Sequence, residues 1–180
     1  MKIIVGVLLI AVLLLLPPFP TFWQEGPSED NLKKAYLQEI AKSQDTRVAK
    51  IEGYFSRWNL PALAYAEEFI FWADQFNLPP FLVPAITMQE SSGGKAAIYN
   101  NWWGINCDLR CIRFPSVSEG IRYVSAMLAG VGENGKYYKD KTLEQKLATY
   151  NDWDYVGQIN FIMEQISSVE IQPELPDSSQ

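Results

Sequence analysis

The sequence contains no histidine, and this absence excludes several common kinds of active site. Triads and dyads in which an imidazole activates serine or cysteine cannot form, and most catalytic zinc sites also need histidine ligands. Carboxylates, lysines and tyrosines are the side chains left for acid–base chemistry. The glycine-containing run at residues 132–136 does not match a phosphate-binding loop. We therefore expect no metal ion and no cofactor.

Basic residues are in the minority. The chain has 15 Lys+Arg against 21 Asp+Glu, a net charge of -6, and a sequence pI of about 4.7. Nucleic-acid binding needs a basic face to neutralise phosphates, so no nucleic-acid partner is expected. The hydrophobic fraction of 48% over 180 residues is enough to bury the core of one domain.

Cysteine is scarce, with only Cys107 and Cys111, which have three residues between them. In an oxidising compartment two cysteines this close are expected to form a disulfide. The closed loop is small, so the chain-entropy gain is only roughly 2 kcal/mol. Two free thiols are the alternative. A zinc site is less favoured because no histidine or third cysteine completes it.

One long apolar run is present, at residues 3–16, after Lys2. Its 14 residues would span roughly 21 Å as a helix, which is short of the ~30 Å hydrocarbon core of a membrane. This length is typical of a signal peptide. A proline-rich stretch stands where a signal peptide usually has its small-residue cleavage site. An uncleaved anchor in the inner membrane is therefore the alternative. Both alternatives predict an extracytoplasmic protein, either membrane-anchored or secreted to the cell envelope.

The remaining pattern predicts one mainly α domain. Residues 1–16 are the leader or anchor, 17–30 a linker rich in proline and polar residues, and 31–45 a polar peripheral helix. Residues 46–168 carry helical apolar periodicity and form the domain. Residues 169–180 are predicted to form a disordered tail.

The segment at residues 91–115 interrupts the helical pattern with glycine, asparagine and tryptophan. We expect a small lobe here, either irregular or a β-hairpin whose strands are Trp102–Asn106 and Cys111–Phe114. If the segment is extended, Trp102 and Trp103 cannot both point inward. One of them is then expected to be exposed or to line a groove.

Glu90 ends the apolar run at residues 81–89. On a helix it lies four residues after Ile86 and eight after Leu82, which places it on the buried stripe. Burial and the negative end of the helix dipole would both disfavour its charged form. A carboxyl held protonated near neutral pH is what general-acid cleavage of a glycosidic bond requires. The alternative is a structural carboxylate paired with Lys95.

Three segments follow one another in a familiar order. An apolar helix ends in Glu-Ser at Ala85–Gly93, Asn-Asn-Trp-Trp-Gly-Ile occupies Asn100–Ile105, and Leu-Ala-Thr-Tyr-Asn occupies Leu147–Asn151. In these segments the chain resembles the lysozyme-like superfamily, which includes soluble lytic transglycosylases and bacterial endo-β-N-acetylglucosaminidases. The resemblance covers about Thr46–Ile166 and implies a lysozyme-like single domain.

The resemblance implies that peptidoglycan glycan strands are the partner. Glu90 would be the single general acid that cleaves β-1,4 bonds between N-acetylhexosamines, either by endo-β-N-acetylglucosaminidase hydrolysis or by lytic transglycosylation. It also implies the substrate-binding residues, which are Ser91, Asn101, Trp103, Gly104, Tyr150 and Asn151.

A second carboxylate would distinguish the possible mechanisms, because ordinary hydrolases use two. Glu119 and Asp152 are explained as helix caps, Asp154 lies beside the second, and Asp108 is explained as a turn residue. A lytic transglycosylase needs only one acid. Two other interpretations stay open: a non-catalytic cell-wall binding or scaffolding module on the same fold, and a membrane-anchored interaction protein with an unrelated helical domain.

Overall fold

The structure is a computed structural model that describes residues 28–43, 45–107 and 110–171. In these ranges the chain is mainly helical and forms no β-strand, which confirms the predicted mainly α class. The expected leader and nearly all of the expected linker lie outside the described residues, as does the tail from residue 172 onward. Within the described ranges, no helix is both long enough and apolar enough to cross a membrane.

Seven α-helices and two short 3₁₀ helices make up the regular structure of the described residues. The 3₁₀ helices are Pro61–Tyr65 and Asn134–Tyr137. In chain order the α-helices are α1 Glu29–Ser43, α2 Thr46–Ser56, α3 Ala66–Gln75, α4 Leu82–Ser91, α5 Val117–Leu128, α6 Leu143–Tyr150 and α7 Trp153–Ser167.

Polar side chains cap the starts of the later helices, as the sequence predicts. Thr142 and Gln145 form a complete capping box at the start of α6. Ser116 accepts a hydrogen bond from the Glu119 backbone N–H at 3.2 Å. The Glu119 carboxylate binds Arg122 instead of completing a second box. These caps satisfy amides that have no partner inside the helix and so fix where each helix begins.

The core forms where α7 packs against α4, α6 and α2. Leu82 and Ile86 of α4, Ile121 of α5, and Ile159 and Ile166 of α7 are all completely buried. Full burial of each such side chain contributes roughly 1.5–3 kcal/mol. The packing of α4 on α7 is important for function, because it brings the end of one helix to the start of the other.

The expected peripheral helix is present as α1, which begins at Glu29. Two of its side chains, Lys33 and Tyr36, contact α3. Lys33 and Glu68 form an ion pair of 2.9 Å, and the Tyr36 ring meets the Phe71 ring edge-on at 5.1 Å. The Tyr36 hydroxyl also donates to Asp74. The helix is therefore attached through one of its faces.

The lobe after α4 is irregular, so of the two expected alternatives the β-hairpin is the wrong one. Ile98 and Asn101 form an isolated bridge, and one backbone hydrogen bond, from Ile112 to the Ile105 carbonyl, joins the two expected strands. Gly104 and Asn106 have φ angles of 64° and 57°. Such left-handed residues interrupt extended backbone, which explains why no strand forms.

The two tryptophans of the lobe are both buried, so neither is exposed, but Trp103 lines a groove, which is the other alternative expected for the pair. Trp102 is 7% exposed and Trp103 is 1% exposed. The backbone turns here rather than running extended, so successive side chains need not point to opposite sides. The Trp103 indole N–H donates to the Thr87 hydroxyl at 2.9 Å, which satisfies its buried polar atom.

Cys107 and Cys111 form the expected disulfide. The Cys107 backbone N–H also donates to the Gly104 carbonyl at 3.2 Å. The bond therefore closes a small loop next to the turn at Gly104. Asp108, considered as a second acid, lies in this loop but outside the described residues.

Candidate active site

A groove with a volume of about 610 Å³ opens where α4, the irregular lobe and α6 meet. One side is formed by Glu90 and the lobe, and another by the end of α6 and the 3₁₀ helix Asn134–Tyr137 with the residues that follow it. The lining residues are Glu90, Trp103, Gly104, Ile105, Asn106, Met127, Asn134, Tyr137, Tyr138, Lys141, Thr149, Tyr150 and Asn151.

Three separate sequence segments thus converge on this groove. Glu90 comes from the end of α4, Trp103 and Gly104 from the lobe, and Tyr150 and Asn151 from the end of α6. Five of the seven residues predicted for catalysis or substrate binding line it.

Glu90 is exposed at the groove wall, so its expected burial is wrong. Leu82 and Ile86 of the same helical row are buried, but the row continues past the core where the last turn of α4 reaches the groove. Ser92 then ends the helix in a left-handed conformation, with φ of 52°. In the described part of the chain no ion pair joins Glu90 to Lys95, the alternative partner.

Tyr155 holds the Glu90 carboxyl. The Tyr155 hydroxyl donates to Oε1 of Glu90 at 2.6 Å, although 65 residues separate them in sequence. The Tyr155 backbone N–H donates to the Asp152 carboxylate at 2.8 Å, so the helix cap fixes the turn that carries the tyrosine. Tyr155 is 2% exposed and belongs to the core as well as to the site. The apolar stripe of α7 predicted its burial but gave no sign of this contact.

Tyr150 supports this arrangement from the side. Its ring stacks on the Tyr155 ring, with centroids 5.6 Å apart and planes 9° from parallel. Its hydroxyl donates to the Trp103 carbonyl at 2.5 Å, which ties the end of α6 to the lobe. Tyr150 was expected to touch the sugar. The structure shows that its hydroxyl proton already has a protein acceptor, so the ring and the acceptor capacity of the phenol oxygen remain for contact with a ligand.

Tyr150 and Tyr155 stay neutral to a pH well above the range in which a tyrosine ordinarily loses its proton. Burial raises the pKa of Tyr155 far above its ordinary value, and the neighbouring Tyr150 and the hydrogen bond to Glu90 act in the same direction. Burial likewise raises the pKa of Tyr150, followed by the nearby Glu90 charge. Both phenols therefore keep their protons and act as hydrogen-bond donors.

Gly104 leaves space beside the acid. Its φ of 64° lies in the left-handed region, and a Cβ built there would lie 3.3 Å from Oε2 of Glu90. Tyr155 occupies Oε1, so Oε2 is the carboxyl oxygen beside this space. A glycine thus satisfies both the backbone conformation and the close approach.

Ser91 and Asn101 are predicted site residues that do not line the groove. The Ser91 hydroxyl donates to the Thr87 carbonyl and accepts from the Gly94 N–H at 3.0 Å, which fixes the turn after Glu90. The Asn101 amide donates to the Ile105 carbonyl at 2.9 Å and accepts from the Ile105 N–H at 3.0 Å. Both side chains are buried and support the groove wall from behind.

The other acids considered in the sequence are not in the described groove lining. Glu119 pairs with Arg122 on α5, and Asp152 caps α7. Asp154 lies in the first turn of α7. Among the described residues, Glu90 is the only acid that lines the groove. The arrangement thus presents one carboxyl, held by Tyr155, to a groove lined by aromatic and amide side chains.

Residues 134–149 contribute a wall that the sequence prediction missed. Asn134 is held by the Tyr123 hydroxyl at 2.6 Å, while Lys141 donates to Thr149 at 2.7 Å. Residues 134–141 are polar with two tyrosines and no familiar motif, so only their position in the fold identifies them. Comparison with known protein families, curated proteins and solved structures finds no match for this chain.

Proposed function

We propose that this protein cleaves β-1,4 glycosidic bonds between N-acetylhexosamines of peptidoglycan, with Glu90 as its general acid, on a lysozyme-like domain. The single observation that carries the proposal is the placement of Glu90. It stands at the wall of a groove, and its carboxyl is oriented by a hydrogen bond of 2.6 Å from Tyr155. The motifs that resemble the superfamily supply the reaction type.

In this proposal Oε2 of Glu90 carries the proton, because Tyr155 holds Oε1 and Gly104 leaves room beside Oε2. Glu90 transfers that proton to the glycosidic oxygen as the bond to the sugar C1 breaks. The hydrogen bond from Tyr155 then stabilises the carboxylate that remains. The Tyr155 phenol keeps its own proton throughout, since burial raises its pKa.

One acid is sufficient for an intramolecular route. The 6-hydroxyl of muramic acid attacks C1, a 1,6-anhydro ring forms, and the hydroxyl proton passes to the Glu90 carboxylate. No water is consumed. The absence of a second acid from the described lining favours this route over two-carboxylate hydrolysis. A substrate-assisted route through the N-acetyl group would also need only Glu90, and water would then complete hydrolysis.

The groove lining is suited to a sugar strand. Aromatic rings pack against the apolar faces of sugar rings, and Tyr137 and Tyr150 provide such rings here. Asn106 and Asn151 provide amide groups for hydroxyl and acetamido partners. The volume of about 610 Å³ lies within the range of ligand pockets.

The proposal is tested with Glu90→Gln, which keeps the shape of the side chain and removes the acid. Wild-type protein should solubilise purified peptidoglycan, and the variant should lose at least roughly 100-fold in rate, as is typical of general acid–base groups. Glu164→Gln is the matched control, because Glu164 is an exposed acid of α7 away from the groove.

Three outcomes have distinct meanings. Loss of activity in Glu90→Gln alone, with an unchanged unfolding midpoint, supports the proposal. Equal activity in wild type and Glu90→Gln contradicts it. Binding of wild-type protein to peptidoglycan without turnover would instead identify a non-catalytic binding module on the same fold.

The released ends identify the bond and the route. Mass spectrometry of the products should show an anhydro-muramic end, lighter than a reducing end by one water, if the muramic 6-hydroxyl attacks. A reducing N-acetylglucosamine end would identify the protein as an endo-β-N-acetylglucosaminidase. We further propose an extracytoplasmic location, to which the apolar residues 3–16 and the Cys107–Cys111 disulfide both point.

A further inference from the structure

Lys141 places a positive charge in the groove lining, although the protein as a whole is acidic. The chain carries a net charge of -6, and Lys141 is the only basic residue among the described residues of the lining. No ion pair in the described ranges joins it to an acid, including the adjacent Asp140. Within the described residues, its charge is therefore not paired with a carboxylate.

The position of the Lys141 ammonium group is fixed by two successive hydrogen bonds. Its Nζ donates to the Thr149 hydroxyl at 2.7 Å, and that hydroxyl donates to the Gln145 carbonyl at 2.7 Å. Since α6 carries both Thr149 and Gln145, the lysine is held against a rigid helix. An ammonium group has three N–H donors, so two remain for a ligand.

A second cation lies near the same wall. The Lys136 ammonium group lies 5.0 Å from the centroid of the Tyr137 ring, and Tyr137 lines the groove. Lys136 itself is not part of the lining, so it adds positive potential without a direct contact. Lys141 is the residue placed to contact a ligand.

We propose that Lys141 forms a carboxylate-binding subsite of the groove, so that the protein prefers anionic glycan strands over neutral ones. This inference rests on the proposed function and specifies the substrate class. A charge-assisted hydrogen bond from an ammonium group to a carboxylate is stronger than a neutral one. Peptidoglycan offers two sources of carboxylate, the lactyl group of muramic acid and the peptide stem, whereas chitin-like N-acetylglucosamine strands offer none.

The test measures binding rather than turnover, in the Glu90→Gln background that should leave strands uncut. Isothermal titration calorimetry compares three strands of equal length: peptide-bearing peptidoglycan strands, strands whose peptides have been removed so that the lactyl carboxylate is free, and neutral N-acetylglucosamine oligomers. Adding Lys141→Gln should weaken binding of a carboxylate-bearing strand by roughly threefold to tenfold and leave the neutral oligomer unchanged. Whichever anionic strand shows the loss identifies the source of the carboxylate.

Two further variants control for charge and structure. Lys141→Arg keeps the positive charge and should retain at least part of the preference for anionic strands. Lys139→Gln removes a positive charge two residues before Lys141. The Lys139 side chain is exposed and lies outside the groove lining. This variant should leave all affinities within about twofold, because Lys139 lies outside the groove lining and its charge reaches a ligand only through screening solvent, whereas Lys141 is placed for direct contact.

The outcomes separate this inference from the proposed function. Equal binding of neutral and anionic strands, unaffected by Lys141→Gln, would overturn the carboxylate subsite and leave glycan cleavage standing. An equal loss in Lys141→Gln and Lys139→Gln would also overturn it, since a general field rather than a local contact would then be responsible. Failure of every strand to bind would overturn the subsite and the proposed function together.

Discussion

The Tyr155 hydroxyl lies 2.6 Å from Oε1 of Glu90 and joins the first turn of α7 to the last turn of α4. These helices already pack together through buried aliphatic side chains, so their relative position is set by the core. The hydrogen bond transfers that rigidity to the carboxyl group. An exposed acid at a helix end is thereby held in one orientation, which a proton donor needs.

Replacing Tyr155 with phenylalanine should lower kcat by roughly 10- to 100-fold and change KM little, because the variant loses a donor to the carboxylate formed after proton transfer. The ring stack on Tyr150 remains, so the free energy of unfolding should fall by only about 1 kcal/mol. Turnover of peptidoglycan strands and urea unfolding measure the two effects. Tyr99→Phe, an exposed tyrosine outside the groove, is the control. An unchanged kcat in Tyr155→Phe would show that the hydrogen bond does not matter for catalysis.

Much of the fold follows from local sequence signals. The cap at Asp152 is found where the sequence predicts it, and the capping box that starts at Thr142 is short-range chemistry of the same kind. The apolar stripe through Ile159 and Ile166 likewise forms the buried face of α7. Such features depend on residues three or four positions apart, which a single sequence displays directly.

The errors arise where distant segments meet. Glu90 shares a helical row with buried residues, but the sequence does not show that the core ends before its turn. The contact of Tyr155 with Glu90 and the place of Lys141 in the groove both depend on how α4, α6 and α7 pack. The hairpin alternative was wrong because left-handed residues turn the lobe away from extended backbone, and the same turn allows both tryptophans to be buried while Trp103 lines the groove.

Alkaline pH should destabilise the protein through Tyr150 and Tyr155. Burial raises the pKa of both phenols in the folded state, whereas the unfolded chain releases these protons near pH 10. Their contribution is fully present below about pH 10 and is lost above it, by roughly 1.4 kcal/mol per pH unit for each tyrosine. Urea unfolding from about pH 8 to about pH 11 should therefore give a smaller loss of stability in Tyr155→Phe than in wild type. If Tyr155→Phe and the exposed Tyr99→Phe show the same pH dependence as wild type, this explanation fails.

Substitution by alanine should lower the stability of the protein at Gly120 and raise it at Gly157. A Cβ at Gly120 would lie 2.3 Å from Cζ3 of the buried Trp103, and an aromatic ring enclosed in the core cannot move aside cheaply. We expect Gly120→Ala to destabilise the protein by about 1–3 kcal/mol. Because the Trp103 carbonyl holds Tyr150, turnover should also fall.

The matched variant Gly157→Ala meets no atom within 4 Å, on the exposed face of α7. Its free energy of unfolding should be higher by roughly 0.5–1 kcal/mol, because alanine restricts the unfolded chain and favours the helix. Thermal unfolding of the two variants measures both effects. A stable and fully active Gly120→Ala would mean that Trp103 is not confined by α5.

Removing the disulfide should cost stability without removing activity. The bond between Cys107 and Cys111 closes a short loop, so replacing both residues by serine should lower the free energy of unfolding by about 2 kcal/mol. The neighbouring groove residue Ile105 has hydrogen bonds outside the disulfide, since the Asn101 amide binds both its N–H and its carbonyl, and the same amide also donates to Cys107 Sγ at 3.7 Å. Turnover of the double serine variant should accordingly remain within about twofold of wild type at a temperature where both are folded, a change that corresponds to less than about 0.5 kcal/mol. Asn101→Ala should show the reverse balance. Turnover should be lost because the Ile105 N–H at the groove wall loses its partner, while the Ile105 carbonyl keeps only the Ile112 N–H. If the serine variant loses activity and Asn101→Ala does not, the loop rather than Asn101 holds the wall in place.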